Sequence, residues 1–312
     1  MAHLEHVVAL AGGVGGAKMA HGLAQCLPPA VLTVIVNVGD DFEHWGLKIC
    51  PDLDTVCYTL AGLANPATGW GRAEESWRVF EQVRALGGAD WFRMGDLDLA
   101  THLERSRRGR AGEALSQITA DFCRRWGIEL TVLPITDDNV PTWVYTDIGE
   151  LPFQEYFVKQ QCQPRVLGFR FDGADRATPA PSVIERLRAA DLVVVCPSNP
   201  WVSIDPILAI GGVREALQGR PAVAISPIIG GKTVKGPAAK MYAELGIQPS
   251  ALAVAQHYSA WLRGFVLDHA DAAQTEAVES LGLVTLTTDT LMPDGAARRR
   301  LASETLAFAA RL

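Results

Sequence analysis

Apolar positions along this chain follow two rhythms. Continuous apolar runs recur toward both ends, in "EHVVALA" (5–11), "AVLTVIVNV" (30–38), "DLVVVC" (191–196) and "PAVAIS" (221–226). Runs this short, bounded by turn residues, predict strands covered on both faces, as in a parallel sheet. Between them, "MAHGLAQCL" (19–27) and "DPILAIGGVREAL" (205–217) have the composition of helices. Strand and helix in alternation predict an α/β fold: a Rossmann-like, mostly parallel sheet with helices on both faces.

The middle of the chain reads differently. "RAEESWRVFEQVRAL" (72–86) and "AGEALSQITADFCRRW" (111–126) carry helical patterns, whereas "ELTVLPIT", "PTWVYTD" and "PRVLGFRFD" look like shorter strands separated by polar turns. The expectation is one nucleotide-binding-type domain over 1–312 with an α+β subdomain inserted at roughly 60–180. No low-complexity linker or internal repeat divides it.

Composition narrows the class. With 312 residues, 48% of them apolar, the chain can bury a large core. No apolar run approaches the roughly 20 residues of a membrane span, and the first residues lack a signal-like pattern, so a cytoplasmic location away from membranes is expected. The net charge of −7 is spread along the chain, which argues against a nucleic acid partner. Six cysteines without a C-x-x-C pair read as reduced thiols. The densest basic cluster, Arg105, Arg107, Arg108 and Arg110, is either a solvated face or a phosphate contact, for which Arg108 is a candidate.

Gly12, Gly13, Gly15 and Gly16 lie between a strand and a helix, where bare backbone can approach a phosphate. Neither standard pattern fits. The dinucleotide fingerprint started at Gly13 meets Lys18 in place of its third glycine, and the P-loop pattern meets Met19 where a hydroxyl should bind magnesium. The turn therefore suggests an anion without naming the ligand.

"NVGDDFEHWGLKICPDLDT" (37–55) places Asp40, Asp41, Asp52 and Asp54 at the carboxyl end of a strand, the edge at which open α/β sheets bind ligands. Several carboxylates facing one pocket repel one another unless a cation neutralises them, and an all-oxygen set suits Mg2+. Asp52 and Asp54 also fit as helix-capping acids, and Asp40 or Asp41 as an Asx turn. After the third apolar strand, Ser198, Asn199 and Ser203 offer small polar groups suited to a base or ribose, or form a simple turn. Gly230, Gly231 and Lys232 repeat the glycine-and-cation theme, with Lys235 nearby. "DWFRMGDLDLATHL" (90–103) joins aromatics that could stack on a planar ring to Asp96, Asp98 and His102.

These blocks occur in one order, together with "GWGRAEESW" and "LSQIT", and in that order the sequence resembles the 2-phospho-L-lactate transferase family of deazaflavin coenzyme F-420 biosynthesis. The resemblance runs from about residue 7 to about 270. It implies transfer of a phospho-acid group from a guanosine-diphosphate-activated donor to the ribityl hydroxyl of the 8-hydroxy-5-deazaflavin Fo, with release of GMP. It also implies magnesium, a Rossmann-like sheet with an inserted subdomain, and a homodimer. Carried over, Gly12 to Gly16 would cradle donor phosphates, and Asp40, Asp41, Asp52 and Asp54 would hold the metal, with Asp40 or Asp54 accepting the hydroxyl proton. The 198–203 and 230–232 blocks would hold the guanosine, and "GDLDLATH" would lie near the deazaflavin. The acid could be 2-phospholactate, enolpyruvyl phosphate or 3-phosphoglycerate. Residues 271–312 receive no role. One alternative is a non-enzymatic, nucleotide-sugar-binding regulator of the gluconeogenesis-factor type; another, an NAD-dependent dehydrogenase, requires the glycine that Lys18 replaces.

Overall fold

A computed structural model describes residues 4–312. Seven strands form the central sheet: β1 (Val7–Ala11), β2 (Leu32–Val36), β3 (Thr131–Pro134), β4 (Leu192–Val195), β5 (Ala222–Ile225), β6 (Gly264–Asp268) and β7 (Val284–Thr288). Their order across the sheet is β7-β6-β5-β4-β1-β2-β3, and every neighbouring pair runs parallel. Chain order reverses between β1 and β4. That crevice is the topological switch point, where open α/β sheets hold their ligands.

The apolar runs explain the centre of the sheet. β1, β2, β4, β5 and β6 are buried at every position, because helices cover both faces. Helix α1 (Gly13–Ala24) follows β1 directly and packs against α2 (Pro51–Leu60) and the C-terminal helix Gly295–Ala309. Gly22 lets this last helix approach, since a Cβ there would collide with the Arg298 carbonyl.

The expected insertion at roughly 60–180 is not one piece. Thr131–Pro134 belongs to the central sheet as its edge, beside β2, and splits the intervening chain in two. The first excursion holds the hairpin Phe42–His44/Leu47–Ile49, then α2, α3 (Arg78–Ala85), α4 (Asp96–Arg110) and α5 (Leu115–Arg125). The second carries a three-stranded antiparallel sheet of Gly149–Pro152, Thr142–Thr146 and Val166–Phe171.

Two expected helices are shorter than their composition suggests. In 72–86 only Arg78–Ala85 is helical, and Glu75, from the segment before it, instead accepts from the Leu97 and Asp98 amides at the start of α4. The stretch 205–217 breaks at Gly211 and Gly212 into Asp205–Leu208 and Val213–Leu217. No helix among the described residues is long and apolar enough to cross a membrane.

Candidate active site

A cavity of about 790 Å³ opens at the switch point, lined by residues from the glycine turn, α2, α4, the segments after β4 and β5, and the segment after β7. Local chemistry explains how each wall forms. β2 ends at Val36, just before Asn37, and the chain turns through Gly39 and the two acids into a hairpin whose two-residue turn, Trp45–Gly46, has positive φ at both positions (52° and 71°). Such turns match strand twist. Pro51 then starts α2, which puts Asp52 and Asp54 in its first turn, where the helix dipole favours acids.

Asp40 and Asp52 face each other across Asn37. The buried Asn37 amide donates to Asp40 Oδ1 (3.1 Å), to Asp52 Oδ2 (2.9 Å) and to the Val202 carbonyl (3.0 Å), while its oxygen accepts from the Gly39 amide (2.8 Å). Gln154 reaches Asp40 Oδ2 at 3.4 Å, and the Gly13 amide donates to Asp52 Oδ1 at 2.7 Å. Among the described residues neither acid has an ion-pair partner within 4.0 Å. Burial, then repulsion from Asp52 and Asp41, pushes the Asp40 carboxyl well above its ordinary value. Burial likewise pushes Asp52 up to about 6, against the pull of Asn37 and Gly13. Two buried, facing, unneutralised carboxylates with all-oxygen chemistry are a donor set that fits a hard divalent cation.

Asp54 and Asp98 are arranged otherwise. Arg105, buried on α4, forks onto both Asp54 oxygens. Tyr58 donates to Asp98 Oδ1 (2.8 Å), and His102 sits between the acids, 3.3 Å from Asp98 and 3.6 Å from Asp54. Burial works against the Asp98 carboxylate, yet the bonds from His102 and Tyr58 hold it below its usual range. One atom each from Asp54, Asp98 and His102 lie within 4.8 Å of one another, a spacing that could suit a metal, but the Arg105 guanidinium already supplies the positive charge.

The other expected site residues fall into two groups. Gly12, Gly13, Gly15, Ser198, Asn199 and Ser203 line the cavity, as do Asp98 and His102. The glycines are demanded first by the protein itself: a Cβ on Gly12 would strike Asp52 and Ser203, one on Gly15 the Pro197 carbonyl, and one on Gly16 the Ser198 hydroxyl. Two backbone donors of the turn are already engaged, the Gly12 amide by Ser198 Oγ and the Gly13 amide by Asp52.

The second group lies off the cavity wall. Asp41 packs behind it, accepting from the Cys50 thiol (3.1 Å) and facing Lys48 at 3.5 Å. Asp96 accepts from the Arg78 and Val79 amides, a helix cap for α3, and from Ser76. Arg108 is forked onto Glu113 and bonded to Asp121 at 2.7 Å, so its guanidinium is spent within the protein. Gly230 and Gly231 form the turn of a short hairpin and Lys232, paired with Ile229, starts its second strand, whereas Thr233 to Ala238 reach the cavity.

Gln154, Tyr58, Lys18 and the Thr290–Met292 segment line the cavity without a site role expected from sequence; Asn37 and Arg105 stand behind the wall and hold its acids, Arg105 being neither the solvated face nor the phosphate contact that its cluster suggested. For Arg105 a signal existed. Asp98, His102 and Arg105 recur at i, i+4 and i+7, one face of α4.

Comparison with known proteins supplies the family. The family model of 2-phospho-L-lactate transferase CofD matches residues 7–296. A protein named phosphoenolpyruvate transferase from Streptomyces griseus is 44% identical over 311 residues, covering 97% of this chain and 98% of its own. Another of that name from Thermobifida fusca is 45% identical over 280 residues, covering 85% and 87%. Among solved structures, a member of the UPF0052 family from Bacillus halodurans superposes with a TM-score of 0.65 over 98% of this chain and 100% of its own, at 15% identity, a likeness of fold. The chain thus belongs to the 2-phospho-L-lactate transferase CofD family and is a phospho-acid transferase of coenzyme F-420 biosynthesis.

Proposed function

We propose that this chain moves an enolpyruvyl phosphate group from a guanosine-diphosphate-activated donor to the terminal ribityl hydroxyl of Fo. The observation that carries the reading is the single cavity that brings the unneutralised Asp40–Asp52 pair together with the aromatic side chains of Trp91, Phe92, Phe153 and Phe157. A charged diphosphate needs the first and a planar ring the second. The choice of acid rests on the relatives named phosphoenolpyruvate transferase, 44% and 45% identical.

Asp40 and Asp52 are the residues that would hold magnesium, which when bound would screen the phosphate charges and stabilise the leaving oxygen. In the transfer, the ribityl oxygen bonds to the phosphorus that carries the acid. The bond from that phosphorus to the bridging oxygen breaks, and its electron pair leaves with GMP. The hydroxyl proton passes to an Asp40 oxygen not taken by the cation, since that carboxylate has no guanidinium on it; Asp54, forked by Arg105, is a poorer base. Ser198, Asn199 and Ser203 line the wall beside the glycine turn and would meet the guanosine half. A homodimer is the expected assembly, readable by sedimentation.

Purified protein incubated with Fo, magnesium and each of the guanylylated forms of enolpyruvyl phosphate, 2-phospholactate and 3-phosphoglycerate tests the proposal. Chromatography should show an Fo ester fastest with the enolpyruvyl donor, with GMP in equal amount. A faster ester from another donor corrects the acid. Tight nucleotide binding with no ester from any donor replaces the transferase with a regulator.

A further inference from the structure

Lysines in this structure divide by what they face. Lys48, Lys159 and Lys240 each meet a carboxylate. Lys18 and Lys235 line the cavity and, among the described residues, meet none; their ammonium groups donate instead to backbone carbonyls, Lys18 to Met292 at 2.8 Å and Lys235 to Thr68 at 2.7 Å. An ammonium carries three donors, so each lysine retains capacity for a ligand.

The two share one flank of the cavity. Lys18 lies five residues beyond Gly13 on α1, about 7.5 Å along the helix axis from the amide that Asp52 accepts. Gly69, next to Thr68, sits against both Val14 of α1 and the Lys235 ammonium, which brings the Lys235 loop over the same helix face. Arg298 of the C-terminal helix adds a third positive charge, partly offset by Asp294, and among the described residues its buried Nε has no partner. Burial, then Arg298 and Lys235, depresses the Lys18 ammonium, as expected where like charges gather without a counter-ion. The cavity therefore carries unneutralised negative charge at Asp40 and Asp52 and unneutralised positive charge at Lys18 and Lys235.

We propose that Lys18 and Lys235 form an oxyanion subsite for the donor, taking a phosphate oxygen of its nucleotide half or the carboxylate of its acid. This rests on the transferase reading of the same cavity. The metal-holding acids and the two lysines then grip the donor at separate points, which fixes its orientation as well as its affinity.

The test uses Lys18→Met, Lys235→Met and the rescue variant Lys18→Arg, with thermal melting to confirm folding. Turnover is measured with the enolpyruvyl donor and Fo, and GDP binding by calorimetry without Fo. The expected result is a donor KM raised about tenfold to a hundredfold in each methionine variant, with the KM for Fo unchanged and the defect partly restored by arginine. If GDP affinity falls in step, the bound oxyanion is a phosphate; if GDP binds as in wild type while the donor KM rises, it is the carboxylate. Folded variants with unchanged donor KM and GDP affinity, or with a raised KM for Fo instead, overturn the subsite. Wild-type protein that binds GDP but makes no ester sinks the transferase reading and leaves the GDP arm to judge the lysines; wild type that binds neither GDP nor donor overturns both.

Discussion

Two pairs of aspartates face the same cavity and are treated in opposite ways. Asp54 is paired from within by the Arg105 guanidinium, and Asp98 accepts from the Tyr58 hydroxyl with the His102 ring 3.3 Å away. Asp40 and Asp52, equally buried, receive only amide donors, and both are driven toward the protonated form. Burying a charge is costly unless it is paired. A pair held by a guanidinium and hydrogen bonds from within makes a rigid wall; a pair given no cation by the protein is suited to meet one on a ligand. The difference separates structural acids from reactive ones without appeal to their position in sequence.

Removing the internal counter-charge should break the comparison most severely. Arg105→Met leaves Asp54 buried beside no cation, and the chain should lose about 3–5 kcal/mol in urea unfolding. Adding Asp54→Asn should recover much of that loss. A single variant as stable as wild type would mean that Asp54 is not held by Arg105.

The raw pair should respond in the reverse sense. Asp52→Asn keeps an acceptor for the Gly13 amide yet removes a charge, so turnover should fall about 10²- to 10³-fold while the metal-free protein becomes more stable at neutral pH. The pH dependence follows from the same carboxyl, whose ordinary value of 3.8 is raised to about 6 in the folded chain. Between those values the folded state holds a proton that the unfolded state has lost. Stability in chelator should therefore fall as pH rises from about 4 to about 6, by on the order of 2–3 kcal/mol from Asp52, and Asp40, raised well above its ordinary value, should extend the fall to higher pH. Magnesium, binding the folded form alone, should restore it at pH 7. Melting curves across this range check all three statements, and an Asp52→Asn protein with the same slope would assign the titration elsewhere.

The smallest effect should come from an acid outside both pairs. Asp96→Ala removes the acceptor for the Arg78 and Val79 amides and should lower the melting temperature slightly, leaving turnover and both KM values unchanged. A kinetic defect would draw Asp96 into the site.

Much of this was legible in the chain. Continuous apolar strands announced the parallel sheet because helices cover both of its faces, and acids at the end of "AVLTVIVNV" marked its ligand edge. Thr131–Pro134 was hidden among the inserted strands because it is an edge strand of alternating burial, which imitates an antiparallel one. Which aspartates would be neutralised was not legible at all. That depends on Arg105 crossing from α4 to α2, a contact between residues 51 positions apart. Its neighbour Arg108, alike in composition, turns instead to Glu113 and Asp121.

The order of the strands also sets a timetable for synthesis. β1 precedes the other six strands of the sheet in the chain and lies inside it, yet one of its two partners, β4, pairs Val7 with Leu192 and so emerges only after much more of the chain is translated. The cavity wall at Thr290–Met292 comes later still. A nascent chain carries β1 with one side open through most of its elongation, exposed to pairing with the wrong edge. The protein's folding in the cell is thus most exposed to misassembly at β1, and its yield should depend on chaperone protection more than a fold closed by sequential neighbours would.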